Sequence, residues 1–229
     1  MTNAPRRPPV VSIALSLLWS ALEAALLALG LGGFEPLVRD PRALALVAIF
    51  ALTGLALTAR QPARARDANE KRPDPLPMAV LFLVPLVTPM IAAYGARHAL
   101  FTLPHANTVS WCGVALVAVG LAVRVSAMHQ LGSRFSPLVS LQHEHELETS
   151  GLYGVVRHPG YLGALLANLG CALAFGSALA LPLLALMFAA QLARIRAEEA
   201  LMAARFGDAW RTYSRRTGAL LPRPARRDA

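Results

Sequence analysis

The sequence predicts an all-α, polytopic membrane protein: a bundle of about six apolar helices with a C-terminal helical hairpin and a polar site beside it. Three observations carry this prediction. First, 55% of the 229 residues are hydrophobic and only 15% are charged, whereas a soluble domain carries roughly a quarter charged residues; mean hydropathy is +0.48. Second, apolar runs of spanning length alternate with short polar stretches that hold most of the arginines. Third, the chemistry-bearing residues gather at the two ends of the last apolar pair, in 151–161 and 194–199.

The formal charge of +9 does not indicate a nucleic-acid partner, because the basic residues sit in loops between apolar runs. Cys112 and Cys171 lie inside apolar segments without metal or redox spacing, so both are expected as inert buried thiols.

In chain order, Val10 to Leu31 is the first span. It lacks a small-residue cleavage site and is expected to be a retained helix. It contains Glu23; an intramembrane acid is a functional candidate, but a neutral or paired bundle contact is the plainer reading. Gly30 to Gly33 follows a helix rather than a strand, with Glu35 in the place of a third glycine, so it is not a nucleotide loop. Ala43 to Ala59 is the second span, and Arg60 to Pro75 a basic loop. Leu76 to Tyr94 is the third, with a bend expected at Pro85 and Pro89. Thr108 to Met128 is the fourth, with Arg124 placed to snorkel. Residues 1–128 thus form the N-terminal membrane helices and 129–229 the chemical region. Within the latter, Tyr161 to Phe175 and Ala178 to Leu192 form a hairpin of two short helices, and Arg194 to Ala229 a basic tail that begins helical. The basic segments fall on one side, which the positive-inside bias makes cytoplasmic, together with both termini.

Proline disfavours helix at the residue before it and suits the first helical turn, so a helix should start at Pro159 with His158 at its cap. Such a helix start can hold a carboxylate or phosphate, although Arg157, His158, Tyr153 and Tyr161 could equally anchor a helix among lipid headgroups. Arg194 and Glu198 share a helical face; Glu199 lies about 100° away and need not share a partner with Glu198. His143-Glu-His-Glu146 lacks a second ligand set at metal spacing, so no metal is expected.

The run from His145 through Glu148, Tyr153 and Arg157-His-Pro-Gly-Tyr161, then Arg194-Ile-Arg-Ala-Glu-Glu199, Phe206-Gly207, Trp210, Tyr213 and Pro222 resembles the isoprenylcysteine carboxyl methyltransferase family, which includes phospholipid methyltransferase relatives. The resemblance begins at His145; the first four spans match by hydropathy alone. Trp210 stands where the family often has tyrosine. The resemblance implies a membrane methyltransferase using S-adenosyl-L-methionine. His145, Glu146, Leu147, Glu148, Tyr153, His158, Pro159, Gly160, Tyr161 and Glu198 would line the cofactor pocket. Arg194 would face the substrate, an amphiphilic or small apolar methyl acceptor, and membrane lipids would surround the protein. A carboxylate acceptor needs no base, whereas for a protonated amine His158 is the candidate base; a phospholipid amine and a thiol are the alternative acceptors. A reading of another class, a transporter or assembly factor, would rest on Glu23, Pro85 and Pro89.

Overall fold

A computed structural model describes residues 9–58, 75–104, 107–132 and 147–223. Eight α-helices occur among them: α1 Pro9–Leu31, α2 Phe34–Arg39, α3 Pro41–Thr58, α4 Pro75–Arg97, α5 Asn107–Leu131, α6 Gly151–Val155, α7 Pro159–Phe175 and α8 Leu181–Arg216, with a 3₁₀ turn at Ala178–Ala180 before the last. Five of these helical segments are long and apolar enough to cross a membrane, and α7 is a shorter apolar helix. The protein is a multi-pass membrane helical bundle. Large apolar side chains such as Leu18, Leu29, Phe82 and Val119 are exposed on its outside. The interior is filled by small and medium ones, including Leu27, Leu46, Ala92, Val117 and Ala174, because association within lipid depends on close fit rather than on hydrophobicity.

The tightest packing joins α5 to α7, which run antiparallel. A Cβ built on Gly120 would stand 2.5 Å from the Gly163 carbonyl oxygen, and one on Gly170 would stand 2.7 Å from that of Gly113. Two glycines seven residues apart on each helix therefore let backbone meet backbone. Cys171, on this packed side of α7, is buried, whereas Cys112 is exposed. This corrects the expectation for Cys112: Gly113 faces α7, so its neighbour about 100° around the helix faces outward.

Two further expectations are revised. The segment after the second hairpin arm does not begin a new helix at Arg194: α8 runs through that position without interruption as far as Phe206. The apolar run stops at Leu192, but Ala, Arg, Glu, Leu and Met continue it, and all favour helix. The helix breaks its geometry at Gly207, with φ 51° and ψ −118°. The helix α4 holds Pro85 and Pro89 within its length. Arg124 does not snorkel either; its Nη1 donates to the Gly160 carbonyl at 3.1 Å, because α7 starts directly beside that turn of α5. The segment between α1 and α3 forms the short helix α2. Glu23 accepts a hydrogen bond from Trp19 Nε1 at 2.9 Å, a contact within its own helix rather than one to another helix of the bundle.

Candidate functional site

Where α7 begins, α5 ends and α8 leaves its apolar stretch, polar side chains converge. Pro159 is the first residue of α7 and His158 its cap position, with φ −126° and ψ 60°, as the sequence predicts. The His158 side chain does not cap its own helix; it turns to α8. Its Nε2 lies 3.1 Å from Glu199 Oε1 and its Nδ1 lies 3.8 Å from Glu198 Oε2. The two acids thus flank one imidazole.

One turn further along α7, the Tyr161 hydroxyl donates to Glu198 Oε1 at 2.7 Å and accepts from Arg194 Nε at 2.6 Å. Arg194 Nε also lies 3.0 Å from Glu198 Oε1, and its Nη1 meets the Met78 sulfur on α4. Only 7% of the Arg194 side chain is exposed, against 24% for Glu198, so the guanidinium faces inward and the carboxylate lies nearer the opening. Gln191 completes this face of α8. Its Nε2 donates to the Tyr161 carbonyl at 3.4 Å, while its buried Oε1 has no hydrogen-bond partner. Sequence reasoning missed Gln191. The signal was its place at i, i+3 and i+7 with Arg194 and Glu198, a polar residue inside an apolar run.

A second layer fixes the first. The Arg157 Nε and Nη2 atoms hold Glu199 Oε1 at 2.9 and 2.8 Å. Its Nη1 donates to the carbonyls of Ser214, at 3.0 Å, and Thr217. The backbone amides of Arg157 and His158 donate to the Gly218 and Ala219 carbonyls at 2.8 and 3.0 Å. The segment after α8 is therefore strapped across the start of α7. Trp210 lies 5.8 Å beneath the Arg157 guanidinium, and the Tyr213 hydroxyl donates to the Tyr153 carbonyl at 2.7 Å. Burial pushes the Glu199 carboxyl up, but hydrogen bonds from His158 and Arg157, and the charge of Arg157, outweigh it and hold the acid below its ordinary value. Burial raises the Tyr213 hydroxyl to about 12, so it stays a donor.

Of the remaining predicted residues, Tyr153 donates to the Ala127 carbonyl at 3.3 Å. Glu148 accepts from the backbone amide and hydroxyl of Ser150 at 3.1 and 2.6 Å. These contacts place both beside the end of α5, next to the strap rather than within the His158–Glu198 cluster. Leu147 is half-buried in the same stretch, while His145 and Glu146 lie outside the described residues.

The fold and this cluster define a class: a multi-pass membrane protein whose C-terminal hairpin carries a polar site where it leaves the apolar layer. Comparison with known proteins narrows it. The phospholipid methyltransferase family model matches residues 108–209. Protein-S-isoprenylcysteine O-methyltransferase of Schizosaccharomyces pombe is 34% identical over 111 residues, 46% of each chain. The Tribolium castaneum protein of the same name is 28% identical over 127 residues, covering 52% of this chain and 44% of that one. The chain thus spans less than half the length of these relatives. The solved structure of a eukaryotic intramembrane Ras methyltransferase, isoprenylcysteine carboxyl methyltransferase, shares the fold with a TM-score of 0.58 at 23% identity, covering 86% of this chain and 72% of that one. Over the matched region the chain is thus similar to phospholipid methyltransferases and to isoprenylcysteine O-methyltransferases, and it shares the fold of the latter.

Proposed function

We propose that the protein is an integral-membrane methyltransferase that uses S-adenosylmethionine and methylates an amphiphilic acceptor bearing a carboxylate, as isoprenylcysteine does. The observation that carries this reading is the Arg194–Tyr161–Glu198–His158 cluster at the mouth of the hairpin. It places a buried cation beside a less buried anion.

The residues present fit such a donor. S-adenosylmethionine carries a sulfonium, an ammonium, a carboxylate and an adenine. Glu198 suits the cationic part. The start of α7 suits a carboxylate, since the first amides of a helix lack intrahelical acceptors. A Cβ on Gly160 would meet nothing within 4 Å, so that turn is open to a ligand. Tyr153 offers an aromatic face for the adenine, and His145 to Glu148 would complete the pocket.

When bound, S-adenosylmethionine supplies an electrophilic methyl group. The chain's own contribution is alignment and exclusion of water. Arg194 orients the acceptor carboxylate. Tyr161 and Glu198 hold the Arg194 Nε edge, which fixes the direction of the guanidinium plane. A carboxylate is already anionic at neutral pH, so no proton need be removed. His158 between its two acids acts chiefly to position Glu198 and Glu199; it becomes a base only for a protonated amine. By the positive-inside bias the cluster faces the cytoplasm and the acceptor approaches from the lipid.

The test is transfer of a labelled methyl group from S-adenosylmethionine, using purified protein in detergent. N-acetyl-S-farnesylcysteine, a phosphatidylethanolamine and an alkyl thiol are offered in parallel. The reading expects label in a base-labile ester of the first. Label in the amine or the thiol alone overturns the carboxylate assignment, and no transfer to any acceptor overturns the enzyme.

A further inference from the structure

At the opposite end of the bundle, α2 and the starts of α3 and α5 enclose a cleft of about 580 Å³, lined among others by Arg39, Asp40, Arg42, Asn107, Ser110 and Trp111. We propose that this cleft binds the phosphodiester of a membrane glycerophospholipid.

The floor is built and rigid. Asp40 accepts from the Arg42 Nε and Nη2 atoms at 3.0 and 2.8 Å. Arg42 Nη1 reaches the fully buried Ser110 hydroxyl at 3.4 Å and the Ala174 carbonyl, near the end of α7, at 3.3 Å. Arg42 and Asp40 neutralise each other. Within the lining two arginines face one aspartate, so one arginine charge is left for an anion from outside the lining: Glu35 as the structure stands, or one phosphodiester in its place.

That charge belongs to Arg39. Its ion pair with Glu35 is 2.6 Å long, but the side chains are 76% and 70% exposed. A surface pair of this kind contributes little, so the guanidinium can exchange it for a phosphate, to which it donates in bidentate fashion. Asn107, exposed at the start of α5, adds an amide donor.

The depth fits a lipid. The helix α2 lies between the ends of the spanning helices α1 and α3. Its Phe34 and Val38 are 66% and 58% exposed, and Trp111, near the start of α5, is 40% exposed. Aromatic side chains at span ends mark the headgroup level. There the phosphate would meet Arg39, while the glycerol and upper acyl chains meet Trp111. The cleft is separate from the candidate methyltransferase site, which lies at the other end of α5 and α7.

The test titrates full-length protein, in a non-ionic detergent without phosphate, with dihexanoyl phosphatidylethanolamine below its micelle concentration, reading tryptophan fluorescence. Trp19 and Trp210 remain in a W111F variant and serve as its reference. The proposal expects a saturable change that W111F abolishes and that R39Q weakens about tenfold, the equivalent of one lost charge-assisted pair. Arg39 is exposed, so R39Q should keep the parent melting temperature. A change that does not saturate, or equal affinity in R39Q, overturns the site. Glycerophosphoethanolamine, which has the diester but no acyl chains, is the second arm. Weaker binding supports a lipid, and equal binding overturns it in favour of a soluble phosphodiester.

Discussion

Replacing Arg157 with alanine tests whether the strap after α8 is held as described. The side chain is 8% exposed and its partner Glu199 is 26% exposed. It holds the Glu199 carboxylate through Nε and Nη2 and two backbone carbonyls through Nη1. Breaking a fully buried pair costs about 3–5 kcal/mol. The exposure of Glu199 lets water replace part of the loss, so about 2–3 kcal/mol is expected here. For a chain of this size that is about 5–10 °C in melting temperature. Tryptophan fluorescence of the purified protein in detergent reads the shift. Tryptic cleavage at Arg215 and Arg216, which lead into the strap, should accelerate in parallel. R157K should not restore the parent value, since a point charge cannot span Glu199 and two carbonyls at once. A melting point within about 1 °C of the parent, with unchanged cleavage, would refute the reasoning.

Three further outcomes follow from the same geometry. Gly120→Ala puts a methyl group 2.5 Å from the Gly163 carbonyl; α5 and α7 must separate, and a loss of about 1–3 kcal/mol is expected by thermal unfolding in detergent. The folded Glu199 carboxyl titrates below its ordinary value of 4.5. Its stabilisation is therefore fully present above that value and is lost as pH falls through the lower folded one; melting temperatures followed from neutral pH to about pH 3 should fall less steeply in Glu199→Gln than in the parent. Arg194→Lys should raise KM for a carboxylate acceptor about tenfold while cofactor affinity changes little, because a lysine cannot engage both carboxylate oxygens in a plane; steady-state kinetics and equilibrium binding separate the two.

Much of this was legible in the chain. The apolar runs located α1, α3, α4 and α5, because a spanning helix needs an uninterrupted run about 20 residues long. Pro159 located the start of α7, since the residue before proline avoids helix and proline suits the first turn. The pairing of Arg194 with Glu198 follows from helical spacing. What was hidden depended on neighbours distant in sequence. The seven-residue glycine spacing on α5 and α7 gains meaning only once those helices are known to lie antiparallel. Arg124 looked like a snorkelling residue because nothing local shows that Gly160 begins beside it. Glu199 was left out of the candidate pocket, yet His158 and Arg157, about forty positions earlier, both bind it. The continuity of α8 past Leu192 was obscured by hydropathy, which falls where the helix leaves the apolar layer although helix propensity does not.

Equilibrium binding of S-adenosylmethionine to the purified protein in detergent tests the central claim most directly, with Glu198→Gln and His158→Ala measured beside the parent. The account predicts saturable binding to the parent at one site, weakened about tenfold or more in Glu198→Gln and more modestly in His158→Ala. No binding to the parent, or equal affinity in all three proteins, would contradict it.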